Sequence, residues 1–328
     1  MLKRLMTGVL SVLAIASSAA AQDNPTKHYP AKPIMLVVPF APGGPNDVLA
    51  RIVADHMSRT LAQPVLIENA AGAGGTMGSA RVASAEPDGY TLLSGNLGSL
   101  AAGYALYKNI KYDPRDFASV GMLAGTPNFL VVRKGLPAKT LAEFIAYAKA
   151  NPGTVTVGNA GLGSNAHLAC LYLEQLAGLK LGHVPYRGTG PAMKDLLGGQ
   201  IDAMCDSAPN VVPQVVAGTI RALVAAQPSR VAATPDVPSA KEAGLPDFNV
   251  VGWNAIVAPP KTPKEIVARV NAALTAALAD PGVRGKIEDI GAIPPKAEEA
   301  TPGWMDKFLR TEVDQWGKVI RAAGATVE

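Results

Sequence analysis

Short apolar runs alternate with amphipathic stretches from residue 34 to residue 225, and this alternation predicts strands followed by helices. Residues 34–39 are apolar without interruption, as in a strand buried on both faces. Residues 47–61 place apolar side chains at helical spacing on one broad face. Further strands are predicted at 65–68, 90–94, 129–133, 155–157, 182–186, 201–206 and 220–225, and further helices through 83 and at 140–150, 165–177 and 191–197. The order favours an α/β fold with a parallel, helix-covered sheet.

The sequence changes character after Pro228, where prolines divide it into short pieces. Two long amphipathic helices follow, at residues 263–279 and 302–323. We expect both helices to pack back on the N-terminal part of the chain, which makes that lobe discontinuous. The predicted organisation is therefore lobe 1 from residues 22–124 and 226–328, and lobe 2 from residues 125–225.

The first 21 residues have the organisation of a secretory signal peptide. Lys3 and Arg4 supply the positive region, and residues 6–16 supply an apolar stretch too short to span a bilayer. Three alanines at 19–21 provide a small-residue cleavage site. We therefore predict an exported, soluble protein that begins at about Gln22; an uncleaved anchor is the alternative.

Composition excludes some classes of function. The formal net charge is +4 and the longest basic clusters are pairs, which argues against a nucleic-acid binder. Cys170 and Cys205 are compatible with a disulfide in an oxidising compartment, but two buried free thiols are the favoured interpretation. The separation of the two cysteines fits no metal site, so no metal ion is expected.

Two glycine-rich turns each connect a predicted strand to a predicted helix. The first is PFAPGGPND at residues 39–47, and the second is GNAGLGSNAH at residues 158–167. A turn of this type directs free backbone N–H groups and the positive end of a helix dipole at one point. Neither turn contains Lys or Arg. Two such sites in different lobes indicate a cleft that closes on one small anion.

Signatures of enzymes are weak in this chain. No glycine turn ends in the Gly-Lys of a P-loop, and no Gly-x-Ser-x-Gly elbow is present. Gly161, Gly163 and Ala166 match a dinucleotide pattern, but no acidic residue ends the next strand near residues 180–183. The four histidines show no metal-binding spacing. We expect no catalytic residue and no cofactor, although an exported enzyme acting on a small carboxylate remains an alternative.

A series of ordered motifs resembles the Bug family, the periplasmic receptors of tripartite tricarboxylate transporters. The motifs include VPF at 38–40, GGP at 43–45, GAGG at 72–75, PDGY at 87–90, VPYRG at 184–188 and GGQID at 198–202. The resemblance runs from about Tyr29 to the C-terminus. It implies a type II periplasmic-binding-protein fold, the Venus flytrap, with two lobes and a hinge of two crossing segments. A receptor of this kind is a monomer that captures a carboxylate or dicarboxylate and hands it to membrane subunits. A signalling role for the same ligand class remains open.

The resemblance also implies which residues bind the ligand. In lobe 1 these are Phe40, Ala41, Pro42, Gly43, Gly44, Asn46 and Asp47, and the backbone N–H groups that this loop possesses would hold one carboxylate. In lobe 2 they are Gly161, Gly163, Ser164, Asn165 and His167. Ser94, Asn96 and Asp206 would face the same cleft from strand ends. Trp253 is interpreted as either an apolar wall of the cleft or a core residue, and Arg187 as a surface residue rather than a counter-charge.

Overall fold

The computed structural model describes residues 28–322, in which one mixed β-sheet carries helices on both faces. The strands are β1 Ile34–Val38, β2 Val65–Asn69, β3 Thr91–Asn96, β4 Ala118–Arg133, β5 Thr156–Asn159, β6 Gly182–Pro185, β7 Ala203–Ser207, β8 Ile220–Ala225 and β9 Val251–Ala258. The helices are α1 Pro45–Leu61, α2 Thr76–Ala83, α3 Gly103–Leu106, α4 Leu141–Ala150, α5 Asn165–Ala177, α6 Thr189–Leu197, α7 Ala208–Val216, α8 Lys264–Ala279, α9 Pro281–Asp289 and α10 Pro302–Ala322. Short helical turns lie at Ala73–Gly75, Gly98–Ala102 and Pro114–Asp116. The predicted signal peptide, residues 1–21, lies outside the described residues.

The strand order of the sheet is β2-β1-β3-β9-β4-β7-β5-β6, and β8 also pairs with β4. β1 is parallel to β2 and β3, and β5 is parallel to β6 and β7, as the alternation of strands and helices predicted. The long strand β4 is shared, because residues 118–127 pair with β9 while residues 128–133 pair with β7 and β8. We call β1, β2, β3, β9 and residues 118–127 the first section, and β5 to β8 with residues 128–133 the second section.

Each section has a hydrophobic core on both faces of its sheet. In the first section Leu49 and Val270 pack on one face, and Leu100 and Leu309 on the other. The C-terminal helices α8 and α10 thus return to the first section, as their amphipathic pattern predicted. The second section has two corresponding cores, and Phe248 belongs to one of them. The exact division of the chain into lobes stays a prediction. None of the helices in residues 28–322 has both the length and the apolar character needed to cross a membrane.

Two chain segments cross from one section to the other side by side. Asn128, in β4, donates its backbone N–H to Val250 O at 3.1 Å and accepts from Ala226 N at 2.7 Å. Val250 N in turn donates to Ala226 O at 2.8 Å. The outgoing and returning segments are therefore hydrogen-bonded to each other at the point where the sections meet.

Cys170 in α5 and Cys205 in β7 form a disulfide, with their Cα atoms 5.4 Å apart. The favoured interpretation as two free thiols was wrong. Both residues are fully buried where α5 packs on β7, so the tertiary contact brings them together. No spacing in the sequence reveals that contact, because 35 residues separate the two positions.

Strand β9 and the first eleven residues of β4 were missed by the sequence analysis. Glycines at 121 and 125 and a proline at 127 interrupt β4, and Gly252 and Asn254 give β9 no alternating pattern. The pairing of the two central strands compensates for these weak local preferences, since both are hydrogen-bonded on two sides.

Candidate ligand-binding site

A small cavity of about 30 Å³ lies between the two sections. The first section contributes residues from the loop before α1, from the end of β3, and from β4 and β9. The second section contributes residues from the turns that begin α5, α6 and α7. The lining residues are Phe40, Pro45, Asn46, Asn96, Thr126, Ala160, Ser164, Asn165, Ala166, Thr189, Asp206, Ser207, Trp253 and Asn254. No lysine or arginine is among these lining residues of the described chain.

Four helices start at this cavity. The first turns of α1, α5 and α6 line it through Asn46, Asn165 and Thr189, and Ser207 is the N-cap of α7. The first N–H groups of a helix lack acceptors within the helix, and the helix dipole adds positive potential there. The sequence predicted two such starts, and the fold adds those of α6 and α7. The arrangement provides an electrostatic site for an anion without a cationic side chain.

The first glycine turn uses part of its N–H groups internally. Gly43 N donates to Asp47 Oδ2 at 3.0 Å, and Ala41 N donates to Arg187 O at 3.0 Å. The Asp47 carboxylate is also bound by Arg51 and by Asn69 Nδ2, and it does not line the cavity. These contacts shape the loop and hold the start of α1 in place.

The glycines of the first turn approach the start of α6 closely. A Cβ on Gly44 would lie 3.3 Å from Thr189 Oγ1, and a Cβ on Gly190 would clash with Pro42 O. Gly43 has a φ of +83°, in the region that favours glycine. Gly43 and Gly44, with Ala41 and Pro42, therefore lie at the contact between the sections rather than along the cavity wall.

The second glycine turn is held in a similar way. Gly161 N donates to Asn159 Oδ1 at 2.9 Å, and Gly163 N donates to His167 Nδ1 at 3.2 Å. Ser164 caps α5, since its hydroxyl accepts from His167 N at 3.3 Å. Gly161, Gly163 and His167 are absent from the cavity lining, whereas Ser164 and Asn165 belong to it.

Three of the residues expected at strand ends lie at or beside the cavity. Asn96 and Asp206 line it, and Ser94 lies behind Asn46, to whose Oδ1 it donates at 2.8 Å. Asn46 Nδ2 is buried without a hydrogen-bond partner among the described residues. Asn46 therefore presents a spare donor on the wall formed by the first section.

Asp206 is the one titratable residue that lines the cavity within residues 28–322. Burial raises its pKa to about 6, although hydrogen bonds from Asn210 and Ser207 favour the ionised form. His167 lies in a separate cluster, where its ring contacts His183, and His183 Nε2 lies 2.7 Å from Glu174 Oε2. Burial, followed by the neighbouring His183, lowers the pKa of His167 to about 4. No group of His, Cys, Asp and Glu in the described part of the chain is arranged to hold a metal ion.

Trp253 is both a wall of the cavity and a core residue. It is 4% exposed, its ring packs edge-on against Phe308, and its Nε1 donates to Glu312 Oε2 at 2.7 Å. Its indole is thus fixed before any ligand arrives. Arg187 is an exposed residue whose backbone, rather than its side chain, faces the first glycine turn.

Eight lining residues were not predicted as ligand-binding: Pro45, Thr126, Ala160, Ala166, Thr189, Ser207, Trp253 and Asn254. Two signals in the sequence could have identified some of them. Gly188-Thr189-Gly190-Pro191 and Ser207-Ala208-Pro209 both place a proline in the first turn of a helix, which marks a helix start. Thr126 and Asn254 lie on strands that were missed or incompletely predicted, so no local signal pointed to them.

The sequence matches the family described as "Tripartite tricarboxylate transporter family receptor" over residues 49–325. MatC from Rhodopseudomonas palustris, solved with bound malate, is 42% identical and superimposes with a TM-score of 0.85, covering 89% of this chain and all of MatC. The periplasmic binding protein BugD is 37% identical, with a TM-score of 0.88 over 92% of this chain and all of BugD. An R. palustris protein solved with adipate is 34% identical, with a TM-score of 0.86 over 91% of this chain and all of that protein.

An α/β sheet in two sections, with a cavity between them at which helix N-termini meet, is the architecture of the periplasmic-binding-protein class. The predicted fold class is confirmed by the superposition on BugD and MatC. The chain belongs to the tripartite tricarboxylate transporter receptor family, and the resemblance to Bug proteins is confirmed.

Proposed function

We propose that this chain is a periplasmic receptor that captures a small carboxylate or dicarboxylate and delivers it to membrane subunits of a tripartite tricarboxylate-type transporter. The observation that carries the proposal is the meeting of four helix N-termini at a cavity whose lining has no lysine or arginine. Charge-assisted hydrogen bonds to free N–H groups bind a carboxylate without a counter-charge. The malate bound to MatC and the adipate bound to the R. palustris relative support this ligand class.

The lining of the cavity favours binding over catalysis. General acid–base catalysis of a small carboxylate needs a positioned titratable group, and usually a second one to act with it. Asp206 is the one such residue on the described lining, and the cluster of His167, His183 and Glu174 lies away from it. We therefore propose a receptor rather than an enzyme.

The small size of the cavity supports the proposal that the sections separate for a ligand to enter. A volume of about 30 Å³ holds about two water molecules, which is less than a dicarboxylate needs. We propose that the first and second sections act as the two lobes of a monomeric Venus flytrap. The crossing at Asn128 and Val250 would be the hinge, and a ligand would favour the closed state because only there do both sections contact it.

The test is isothermal titration calorimetry of the mature chain with four- to six-carbon dicarboxylates and their diamides. We expect at least one acid to bind and its diamide to bind about tenfold more weakly or worse, because amides lose the charge-assisted bonds. Equal affinity for an acid and its diamide would contradict the proposed anion site.

A pair of variants at Thr189 isolates the contribution of one backbone N–H group to the affinity for the carboxylate. Thr189 is the first residue of α6 and follows a glycine in an extended conformation, so proline is tolerated there. Thr189→Pro removes the N–H and the hydroxyl, whereas Thr189→Val removes the hydroxyl alone. We expect Thr189→Pro to bind the acid about tenfold more weakly than Thr189→Val. Similar affinities of the two variants would show that this N–H does not contact the anion.

A further inference from the structure

The wall that the second section contributes to the cavity carries a buried acceptor, the carboxylate of Asp206. This residue is 2% exposed at the end of β7. Its Oδ1 accepts from Ser207 N at 2.8 Å, and its Oδ2 accepts from Asn210 Nδ2 at 2.5 Å. The Thr189 side chain also hydrogen-bonds to this carboxylate. A carboxylate has about four lone-pair positions, so one position remains for a donor group in the cavity.

Asn165 presents a second acceptor, and its orientation is fixed by its neighbours. Asn128 Nδ2 donates to Val250 O at 3.0 Å, which makes Asn128 Oδ1 the acceptor for Asn165 Nδ2 at 3.2 Å. Asn165 Nδ2 also bonds Ser207 Oγ at 3.0 Å. The remaining oxygen, Asn165 Oδ1, is buried without a partner among the described residues, and the whole residue is 7% exposed.

The first section adds an acceptor of the same kind. Asn254 in β9 is 2% exposed, and its Nδ2 lies 3.4 Å from Thr126 Oγ1. Its Oδ1 has no hydrogen-bond partner within residues 28–322. A buried acceptor without a donor costs about 1 to 3 kcal/mol, so the cavity has acceptors on both walls that a ligand would satisfy.

A carboxylate alone does not complement this set of acceptors. Its oxygens accept hydrogen bonds and do not donate them, and its charge is repelled by an ionised Asp206. The helix N-termini provide donors for the carboxylate, whereas Asn165 Oδ1 and Asn254 Oδ1 lack a donor and Asp206 can accept a further one. One small ligand satisfies both sets when a donor group is attached to its carbon skeleton.

We propose that the ligand of this site is a carboxylate that carries a hydroxyl or ammonium group, and that Asp206 and Asn165 Oδ1 accept hydrogen bonds from that group. This inference rests on the proposed function, because it assumes that the cavity binds a carboxylate. It assigns Asp206 and Asn165 to recognition of the substituent, and the helix N-termini to recognition of the anion.

The test compares three four-carbon dicarboxylates that differ only in the substituent on the second carbon: succinate with none, malate with a hydroxyl group and aspartate with an ammonium group. Calorimetry on the wild-type chain should show malate or aspartate binding at least about tenfold more tightly than succinate, the factor expected when a buried acceptor loses its donor. Whichever of malate and aspartate binds more tightly identifies the substituent that the site recognises. Succinate binding within about threefold of both others would overturn this inference and leave the proposed function intact. Binding of none of the three acids, or of their five-carbon homologues, would overturn both.

Two variants at opposite ends of β7 test whether Asp206 recognises the substituent of the ligand. Asp206→Asn removes the charge at the cavity, whereas Asp202→Asn removes a carboxylate that pairs with Arg133 and Thr156 just before the same strand. We expect Asp206→Asn to reduce the preference over succinate by at least about threefold, and Asp202→Asn to leave it unchanged. An unaltered preference in folded Asp206→Asn protein would contradict the role of Asp206. If that variant does not fold, the wild-type comparison alone decides the proposal.

Discussion

Asp47 is a buried carboxylate whose hydrogen bonds shape the first glycine turn. It accepts from Gly43 N, Arg51 and Asn69 Nδ2, so its oxygens are engaged within the first section. Burial alone would raise its pKa, but the hydrogen bonds and charge of Arg51, with those of Gly43 and Asn69, outweigh burial and hold the pKa below its usual value. The resemblance implies that Asp47 binds the ligand, which stays a prediction, and its contacts within the first section hold the start of α1.

Helix α1 offers a matched pair of substitutions for testing this role. Asp47→Asn should destabilise the protein by about 1 to 3 kcal/mol, because it weakens a set of buried hydrogen bonds. It should also weaken carboxylate binding, since the start of α1 loses its support. Urea denaturation and calorimetry measure the two effects.

The control is Asp55→Asn on the same helix. Asp55 pairs with Arg59 at the same four-residue spacing, but both side chains are exposed. We expect little change in stability or binding from that substitution. Equal effects of the two substitutions would show that Asp47 has no special role.

His167 makes the stability of the second glycine turn depend on pH. Its Nδ1 accepts from Gly163 N, which only the neutral ring can do. Its pKa is about 4 in the folded chain, whereas an unfolded histidine titrates near about 6.5. As the pH falls, the unfolded chain takes up the proton first, so the contribution of His167 is complete above the unfolded pKa and is lost from about pH 6.5 to about pH 4.

The check is urea denaturation of the wild-type chain and His167→Asn at pH 7 and pH 5. An asparagine keeps an oxygen acceptor for Gly163 N but does not titrate. We therefore expect the wild-type chain to lose more stability than the variant between the two pH values. Parallel losses in both proteins would assign the pH dependence to other groups.

At the scale of elements, the sequence predicted most strands and helices but not the centre of the sheet. Strand β1 was predictable because its five residues are all apolar, and four of them are buried in a sheet that is covered on both faces. Helix α4 was predictable from its cap, since Thr140 Oγ1 accepts from Glu143 N at 3.2 Å. Strand β9 was not, because Gly252 and Asn254 interrupt its apolar pattern.

The candidate site was partly predictable for the same reason. Both glycine turns were recognisable locally, and Asn46, Ser164 and Asn165 do line the cavity. Thr189 and Ser207 reach it because β6 and β7, the strands that precede α6 and α7, flank β5, the strand that precedes α5, which is a tertiary relation. The sequence also did not reveal the hydrogen-bond partners of individual glycines. The N–H groups of Gly43 and Gly163 donate to Asp47 and His167 rather than into the cavity.

The disulfide joins two elements that carry site residues. Helix α5 begins with Asn165, and β7 ends with Asp206 and Ser207. Replacing Cys170 and Cys205 by alanine should lower stability by about 2 to 4 kcal/mol, because the unfolded chain loses a cross-link. It should also weaken carboxylate binding, since α5 and β7 are then free to shift against each other. Denaturation of the wild-type chain with and without reductant measures the first effect.

The double alanine variant serves as its own control, because reductant should leave its unfolding transition unchanged. Identical midpoints for the oxidised and reduced wild-type chain would show that the cross-link does not contribute to stability. Unchanged ligand affinity in the double variant would show that packing alone holds α5 against β7.

At the scale of the whole molecule, the two sections touch around the cavity through hydrogen bonds to backbone carbonyl groups of the second section. Ala41 N bonds Arg187 O, and Tyr107 Oη donates to Leu162 O at 3.0 Å. Gly74 lies against Leu162, so that a Cβ at Gly74 would clash with the Leu162 carbonyl oxygen. These contacts define how closely the sections approach each other.

Gly74→Ala should therefore impair closure. The φ of Gly74 is +62°, so alanine costs about 1 to 2 kcal/mol of backbone strain there. The added methyl group should also hold the sections apart and weaken ligand binding. Calorimetry gives the affinity, and small-angle scattering with ligand gives the radius of gyration, which should stay larger than that of the wild-type complex.

Gly178→Ala is a matched control for the strain. Gly178 also has a φ of +62°, but nothing lies within 4 Å of its added Cβ. The two variants should lose similar stability, and Gly178→Ala should bind as the wild-type chain does. Wild-type affinity in Gly74→Ala would show that the approach of Gly74 to Leu162 does not limit closure.

The proposed anion site, at which four helices begin, has a consequence for the evolution of this chain. Its proposed donors are main-chain N–H groups, which every residue type except proline supplies. A point mutation at Asn46, Ala166 or Thr189 thus alters the side chain that faces the cavity while the N–H donor survives. After gene duplication, a copy keeps its attraction for anions from the first generation, and selection is free to change which carbon skeleton it accepts. Lineages built on this site should therefore diversify in ligand faster than lineages whose anion site depends on a single arginine.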